Sequence, residues 1–366
     1  MSMVSTTRGH SRAATVDTTA AGGVASGDLR FDWTVTILSG LFLGGGVLDV
    51  WAHNHQGTAG KLETFFTPWH AVLYAGWFLV TIFLLATAIR NHARGYAWRL
   101  ALPAGYPLAL VGALIFTGGG VFDMIWHLLF GIEEGIEATY SPSHLLLGLG
   151  LVLLMSGPLR AAWWNPEAAG WRAAGPMVIS LGLTLTALTL YAQFADPLTS
   201  PWAALSQRER VAGLPDLGHT IGIAAVLLNT GVVMGTVLPA VLRRPLPPGA
   251  LSVAFTLNAT LMATSFGTAP YRPLLLRVAA AAAAGIAADL LLLWLRPSAQ
   301  RPAALRGFAF AVPAILYLFH FLAVMATPGI WWSTHLWTGS IALAGLAGAL
   351  LSYAFVPPAR RGAAWT

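Results

Sequence analysis

The chain has no cysteine. Disulfides, thiolate zinc sites and cysteine nucleophiles are therefore excluded, and histidine, carboxylate and methionine are the metal ligands that remain. Charge is nearly as scarce. Only 9% of the residues are Asp, Glu, Lys or Arg, against about 25% in a typical soluble domain. So few charges cannot cover a water-facing surface, and 56% of the 366 residues are hydrophobic. An all-α, polytopic membrane bundle of one domain follows. The H-E-x-x-H of zincins is absent, and the glycines at 118–120 lie in an apolar run with no following lysine, so they form no phosphate loop. The methionines are scattered and make no copper-transport motif. The net charge of +6 reads as membrane topology, with no nucleic-acid partner.

Residues 1–30 are rich in Ser, Thr, Ala and Gly and read as a disordered cytoplasmic tail. The first apolar run begins near Phe31 and is long enough to span, unlike a signal peptide. A single transmembrane domain is expected over 31–356, with a short tail at 357–366. A spanning helix needs about 20 mostly apolar residues. Ten stretches qualify: 33–52, 68–89, 101–127, 143–160, 175–195, 217–242, 250–268, 273–295, 305–326 and 333–355. The stretch at 273–295 is the one expected to be short or tilted, because Arg272 and Arg277 sit at its start.

With the N-terminus in the cytoplasm, the inner segments hold 15 of the 20 Lys and Arg residues, and the outer segments keep Lys61, Arg208, Arg210, Arg272 and Arg277. The positive-inside rule thus places both termini in the cytoplasm of a multi-pass cell-membrane protein. In this topology His53, His55, His70, His127, His144, His219, His320 and His335 all fall near outer helix ends, and most loop acids join them. The chemistry is expected to open to the extracytoplasmic side.

One stretch recurs. Gly44-Gly45-Gly46-Val47-Leu48-Asp49, then His53, Glu63, Pro68 and His70, returns as Gly118-Gly119-Gly120-Val121-Phe122-Asp123, then His127, Glu137, Pro142 and His144. Every position is displaced by 74 residues, within repeats at about 33–89 and 101–160. Asp49/His53 and Asp123/His127 stand at i and i+4, on one helix face. Thr67-Pro68 and Ser141-Pro142 are N-cap and first-turn pairs, which puts His70 and His144 in the first turn of the next helices. Each repeat then reads as a helical hairpin carrying one Asp and two His. The glycine triplets allow the two limbs to approach closely.

Carboxylate with imidazole suits copper, iron, zinc or manganese. The weaker alternative is an interfacial Asp–His ion pair that only fixes helix ends. His219, His320 and His335, from the second half of the chain, are candidates to complete one central metal site. Glu63 and Glu137 match between repeats and are candidate proton-handling carboxylates. Glu133, Glu134 and His55 have no counterparts and rank lower. Asp289, deep in an apolar helix, suggests a helix-to-helix hydrogen bond, with Asn258 as a candidate partner. Trp51, Trp69, Trp126, Trp202, Trp331 and Trp332 fit an interfacial aromatic belt.

Asp123-x3-His127 followed by His144 resembles the D-x3-H…H motif in the C subunit of copper membrane monooxygenases. It is also similar to a D-x-x-W-H…S-P-x-H signature of uncharacterised bacterial multi-span proteins. The first resemblance implies copper held by Asp123, His127 and His144, with Asp49, His53 and His70 as a second copy. It also implies a small apolar or lipid-like substrate and an external electron donor. Three readings follow: a copper or non-haem iron oxidoreductase, an intramembrane zinc hydrolase, or a permease that handles metal. The polar side chains gather at one end of the spans, which favours a surface-opening site over a transport route.

Overall fold

The computed structural model describes residues 28–56, 67–131, 133, 135–164, 170–267, 271–327 and 329–358. Glu63, Glu134, residues 1–27 of the N-terminal tail and residues 359–366 of the C-terminal tail lie outside the described residues, and Leu29 and Arg30 already belong to the first helix. Regular structure among the described residues is helical. The helices are α1 (Leu29–His55), α2 (Pro68–Ala93), α3 (Pro107–Phe130), α4 (Glu137–Tyr140), α5 (Pro142–Met155), α6 (Gly157–Ala162) and α7 (Trp171–Tyr191). They continue with α8 (Leu205–Arg208), α9 (Pro215–Arg243), α10 (Ala250–Phe266), α11 (Tyr271–Leu295), α12 (Pro302–Met325) and α13 (Thr334–Phe355). Among the described residues, nine helices are long and apolar enough to cross a membrane, with α5 and α6 counting as one span over Pro142–Ala162.

Proline sets many of the starts. Helices α2, α3, α5, α9 and α12 each open on it, where the missing N–H costs nothing and the fixed φ suits the first turn. The stretch at 250–268 is the exception to full spanning length. It is α10, not the Arg-flanked α11, that is short: 17 residues, or about 26 Å at ~1.5 Å per residue. Glycines bound it at both ends, Gly249 with φ of 88° at its start and Gly267 at its end. It packs between α1, α7 and α11, so protein surrounds it where lipid would otherwise demand length.

Helix α7 divides the bundle. Its Leu183 and Ala187 belong to the apolar core of α1–α6. Its Met177, Val178, Leu181 and Leu185 belong to the core shared with α9–α12. Within the first half, α1 pairs with α2 and α3 pairs with α5 as antiparallel hairpins, as the repeat predicts. The glycine triplets work at their middle position. A Cβ on Gly45 would stand 2.8 Å from the Leu73 Cα, and one on Gly119 would stand 3.0 Å from Leu147. Leu73 and Leu147 are themselves 74 residues apart, so both hairpins use the same close approach. Phe42 and its counterpart Phe116 stack edge to face, with centroids 4.8 Å apart. Contact between equivalent residues is what two hairpins packed about a local two-fold produce.

The structure revises two structural expectations. Asp289 does bridge helices, but its partner is not Asn258. Its carboxylate accepts hydrogen bonds from the Leu251 and Ser252 amides and the Ser252 hydroxyl at the start of α10. These are amides with no acceptor inside their own helix. Asn258 Oδ1 instead accepts from Thr189 of α7. The tryptophans near the second-half ends do not form an open belt. Trp332 is buried, packs with Tyr317 and Phe321, and shares that cluster with Trp202 and Trp331.

Candidate metal centre

The local sequence places each ligand. Thr67 caps α2 by accepting the His70 amide at 3.1 Å, and Ser141 caps α5 by accepting the His144 amide. Both histidines therefore project from first turns toward the ends of α1 and α3. There Asp49 and His53, and Asp123 and His127, share a face one helical turn apart. Asp49/His53/His70 and Asp123/His127/His144 each bring three donor atoms within 4.8 Å of one another. The hairpins thus assemble two metal-capable groups, one in each repeat.

In the second group, Asp123 Oδ1 stands 3.4 Å from His127 Nε2 and 3.6 Å from His144 Nδ1. Asp123 is only 4% exposed. The Ser143 hydroxyl donates to Asp123 Oδ1 at 2.7 Å and fixes the carboxylate. Ser141 Oγ lies 2.7 Å from His144 Nδ1. A fourth donor arrives from the loop: Glu133 Oε2 is 3.0 Å from His127 Nε2. That nitrogen and both Glu133 oxygens are buried, yet no hydrogen bond of sound geometry joins them. A buried imidazole nitrogen lying between two carboxylates without a directed bond is placed to share a cation with them. Ligands ~2.1 Å from an ion in tetrahedral array stand about 3.4 Å apart, so these separations suit one ion.

The first group repeats the core of this arrangement with different surroundings. Asp49 Oδ2 is 3.4 Å from His70 Nε2 and 3.8 Å from His53 Nδ1. His53 Nδ1 also lies 2.9 Å from the Asp49 carbonyl. A backbone carbonyl at this distance orients the imidazole, as such carbonyls do for metal-binding histidines. The His53 side chain is 38% exposed, against 15% for His127. Where the second repeat has Ser143 beside its Asp, the first has Trp69, which packs edge to face on Trp51.

The two groups sit within electrostatic reach of each other. His70 of the first acts on His144 of the second. Tyr74, one turn along α2 from His70, interacts with both Asp49 and Asp123. Its hydroxyl occupies the space that a Cβ on Gly120 would invade, 3.1 Å away. The position equivalent to Tyr74 is Gly148, and there Tyr191 of α7 fills the gap and donates to the His144 carbonyl at 2.7 Å.

The remaining candidates scatter. His219 stacks on Trp331 and lies 3.9 Å from Asp216. His335 is exposed in the first turn of α13. His320 is buried beside Tyr317 and Phe321. None of the three belongs to a metal-capable group among the described residues; the two groups that the structure assembles both lie within the repeats. Glu137 opens the four-residue α4 and is exposed, while Glu133 reaches His127 instead. Glu133 ranked low in the sequence because it has no counterpart, and only the loop geometry reveals it. His55 is structural: its two ring nitrogens face the carbonyls of Trp51 and Gly267, at 2.8 and 2.6 Å, and tie α1 to α10.

No protein-family model matches the chain, and no significant match to it exists among curated proteins or solved structures.

Proposed function

We propose that this protein is a membrane metalloprotein that holds two metal ions, one in each repeat, and uses them in oxidoreductase chemistry, with copper the first choice and non-haem iron the second. The observation that carries the reading is the recurrence of one Asp and two His, with donor atoms within 4.8 Å, at the same place in both hairpins. A bland ion pair needs one histidine; it does not need two, twice. The resemblance of Asp123, His127 and His144 to the copper monooxygenase motif supports the choice of copper. A redox metal supplies electron transfer and oxygen activation. The chain supplies the rest: Ser143 holds Asp123 in place, the capped first turns aim His70 and His144, and Glu133 offers a carboxylate for a proton or a fourth bond. Lys and Arg distribution supports an extracytoplasmic opening, and the bilayer is the natural source of a small apolar or lipid-like substrate. Electrons come from an external donor.

A zinc hydrolase is the second reading, favoured by one contact. Glu133 at 3.0 Å from His127 is placed where a general base would serve a metal-bound water. A transporter has less support, because Asp289, the carboxylate within α11, is engaged by three donors at the start of α10.

Elemental analysis of the detergent-purified protein tests these readings. Copper or iron approaching two per chain, with oxygen consumption on addition of an electron donor, is the expected result. Zinc instead moves the function to hydrolysis. No bound metal after reconstitution with copper, iron or zinc overturns the metalloprotein reading.

A further inference from the structure

The second half of the bundle encloses a polar cavity that belongs to neither metal-capable group. It measures about 40 Å³ and lies among α7, α9, α10, α11, α12 and the loop after α7. Its polar lining is Asp196, Asn229, Asn258, Arg277 and His320; the rest is apolar. Asp196 is 2% exposed and His320 is 7% exposed.

These groups share the cavity without bonding to one another. Asp196 Oδ2 accepts the amides of Leu198 and Thr199, at 3.0 and 3.1 Å. The Thr199 side chain also hydrogen-bonds to this carboxylate. Arg277 attracts it electrostatically and donates to the Pro273 and Pro197 carbonyls. Neither ring nitrogen of His320 has a hydrogen-bond partner among the described residues; its ring meets the edges of Tyr317 and Phe321. Buried polar groups left dry cost several kcal/mol. At ~10–15 Å³ per water, the cavity has room for about three. The lining also selects against other occupants. A carboxylate repels an anion and a guanidinium repels a metal cation, so water and a proton are what this balance accepts.

We propose that the cavity is a hydrated proton-binding site, in which water joins Asp196 to His320 and the pair takes up and releases one proton. The charged and titratable groups facing it are few. Arg277 comes from α11, and Tyr317 with His320 comes from α12. Helices α9 and α10 offer the amides of Asn229 and Asn258, and α7 offers no titratable group. Burial raises the Asp196 carboxyl to about 6, against the opposing pull of the two backbone amides and Arg277. The site also touches the second metal-capable group through the end of α7. There Thr189 bonds Asn258 of the cavity, while Tyr191, two residues on, bonds the His144 carbonyl. The inference does not depend on metal binding.

Infrared difference spectroscopy of the full chain in lipid nanodiscs tests it. A protonated-carboxyl stretch should titrate near pH 6 in the wild type and vanish in Asp196→Asn. It should shift within minutes in D2O, as a hydrated carboxyl does. His320→Gln, which keeps the shape of the wall, should move the midpoint by about one pH unit if the two groups share the proton. Arg277→Gln should move it upward, since the carboxylate loses its cation. A band that survives in Asp196→Asn assigns the proton elsewhere and overturns the proposal. So does a band that ignores D2O, or a midpoint that His320→Gln leaves unmoved.

Discussion

The two Asp/His groups share a scaffold and differ in what supports it. Both hang between the end of one helix and the capped first turn of the next, with the same glycine contact below. In the second, Asp123 is held by Ser143 and sits deep, and Glu133 folds over His127. In the first, Trp69 replaces the serine, and His53 is more open to solvent. The positions of the candidate ligands are thus set by what the two repeats share, whereas orientation and dielectric are set by residues in which they differ. Groups that orient a ligand contribute about 10–100-fold in metal affinity. The second site should therefore bind more tightly and exchange more slowly than the first.

The largest effect comes from deleting ligands. His127→Ala with His144→Ala should remove the tightly held ion, weakening that site by well over the ~100-fold that a supporting residue is worth. His53→Ala with His70→Ala should remove only the weaker ion. Metal content during stepwise chelation reads both. Two ions lost together from either variant would show a single shared site and dissolve the comparison.

Ser143→Ala sharpens it. The carboxylate keeps its place in the chain but loses its hydroxyl donor, so affinity at the second site should fall ~10–100-fold while the first site is unchanged. Isothermal titration with competing chelator separates the two. Equal losses at both sites would mean that Ser143 acts on the bundle rather than on Asp123. Glu133→Gln should have the smaller effect, about tenfold at the second site, because it removes a charge but keeps an oxygen in reach of the ion. No change on that substitution would leave Glu133 as a lid residue and remove the contact that favours hydrolysis.

Much of this arrangement is legible in the sequence. The spans follow because apolar length is a local signal, and Pro68 and Pro142 mark two starts directly; the stretch at 101–127 starts six residues before Pro107, where α3 opens. The ligand triads follow because the offset of 74 residues makes i, i+4 spacing and capped first turns appear twice. What stays hidden depends on contacts between distant segments. The spacing of Glu133 carries no periodic signal, and only the three-dimensional structure places it beside His127. His320 shares the apparent helix-end placement of the ligands, yet its helix packs across α7 from the repeats, so it meets Asp196 and Arg277 instead. Helix order along the chain does not state which helix stands between which.

The smallest effects concern the scaffold that the two sites share, and they separate the repeats by geometry alone. A methyl on Gly45 would meet only backbone atoms of α2: Leu73 Cα at 2.8 Å, Leu73 N at 3.0 Å and Val72 O at 3.0 Å. A methyl on Gly119 would meet the Leu147 side chain first, at 3.0 Å and 3.2 Å, and the Leu147 amide nitrogen at 3.2 Å, with no contact as close as the 2.8 Å at Gly45. A side chain can turn aside; a backbone moves only with its helix. Gly45→Ala should therefore cost about 1–3 kcal/mol of stability through overpacking, while alanine's better helix propensity returns at most ~1 kcal/mol. Gly119→Ala should fall near neutral, because the gain and the local rearrangement are of similar size. Gly44→Ala and Gly118→Ala are the controls, since a methyl at either place has nothing within 4 Å. Thermal unfolding of the four variants in one detergent should rank Gly45→Ala alone as clearly destabilised. The same variant should also loosen the first metal site, because Leu73 lies three residues along α2 from His70. Equal destabilisation by Gly45→Ala and Gly119→Ala would show that the two hairpins are equally rigid, and would leave Ser143, Glu133 and burial as the whole difference between the sites.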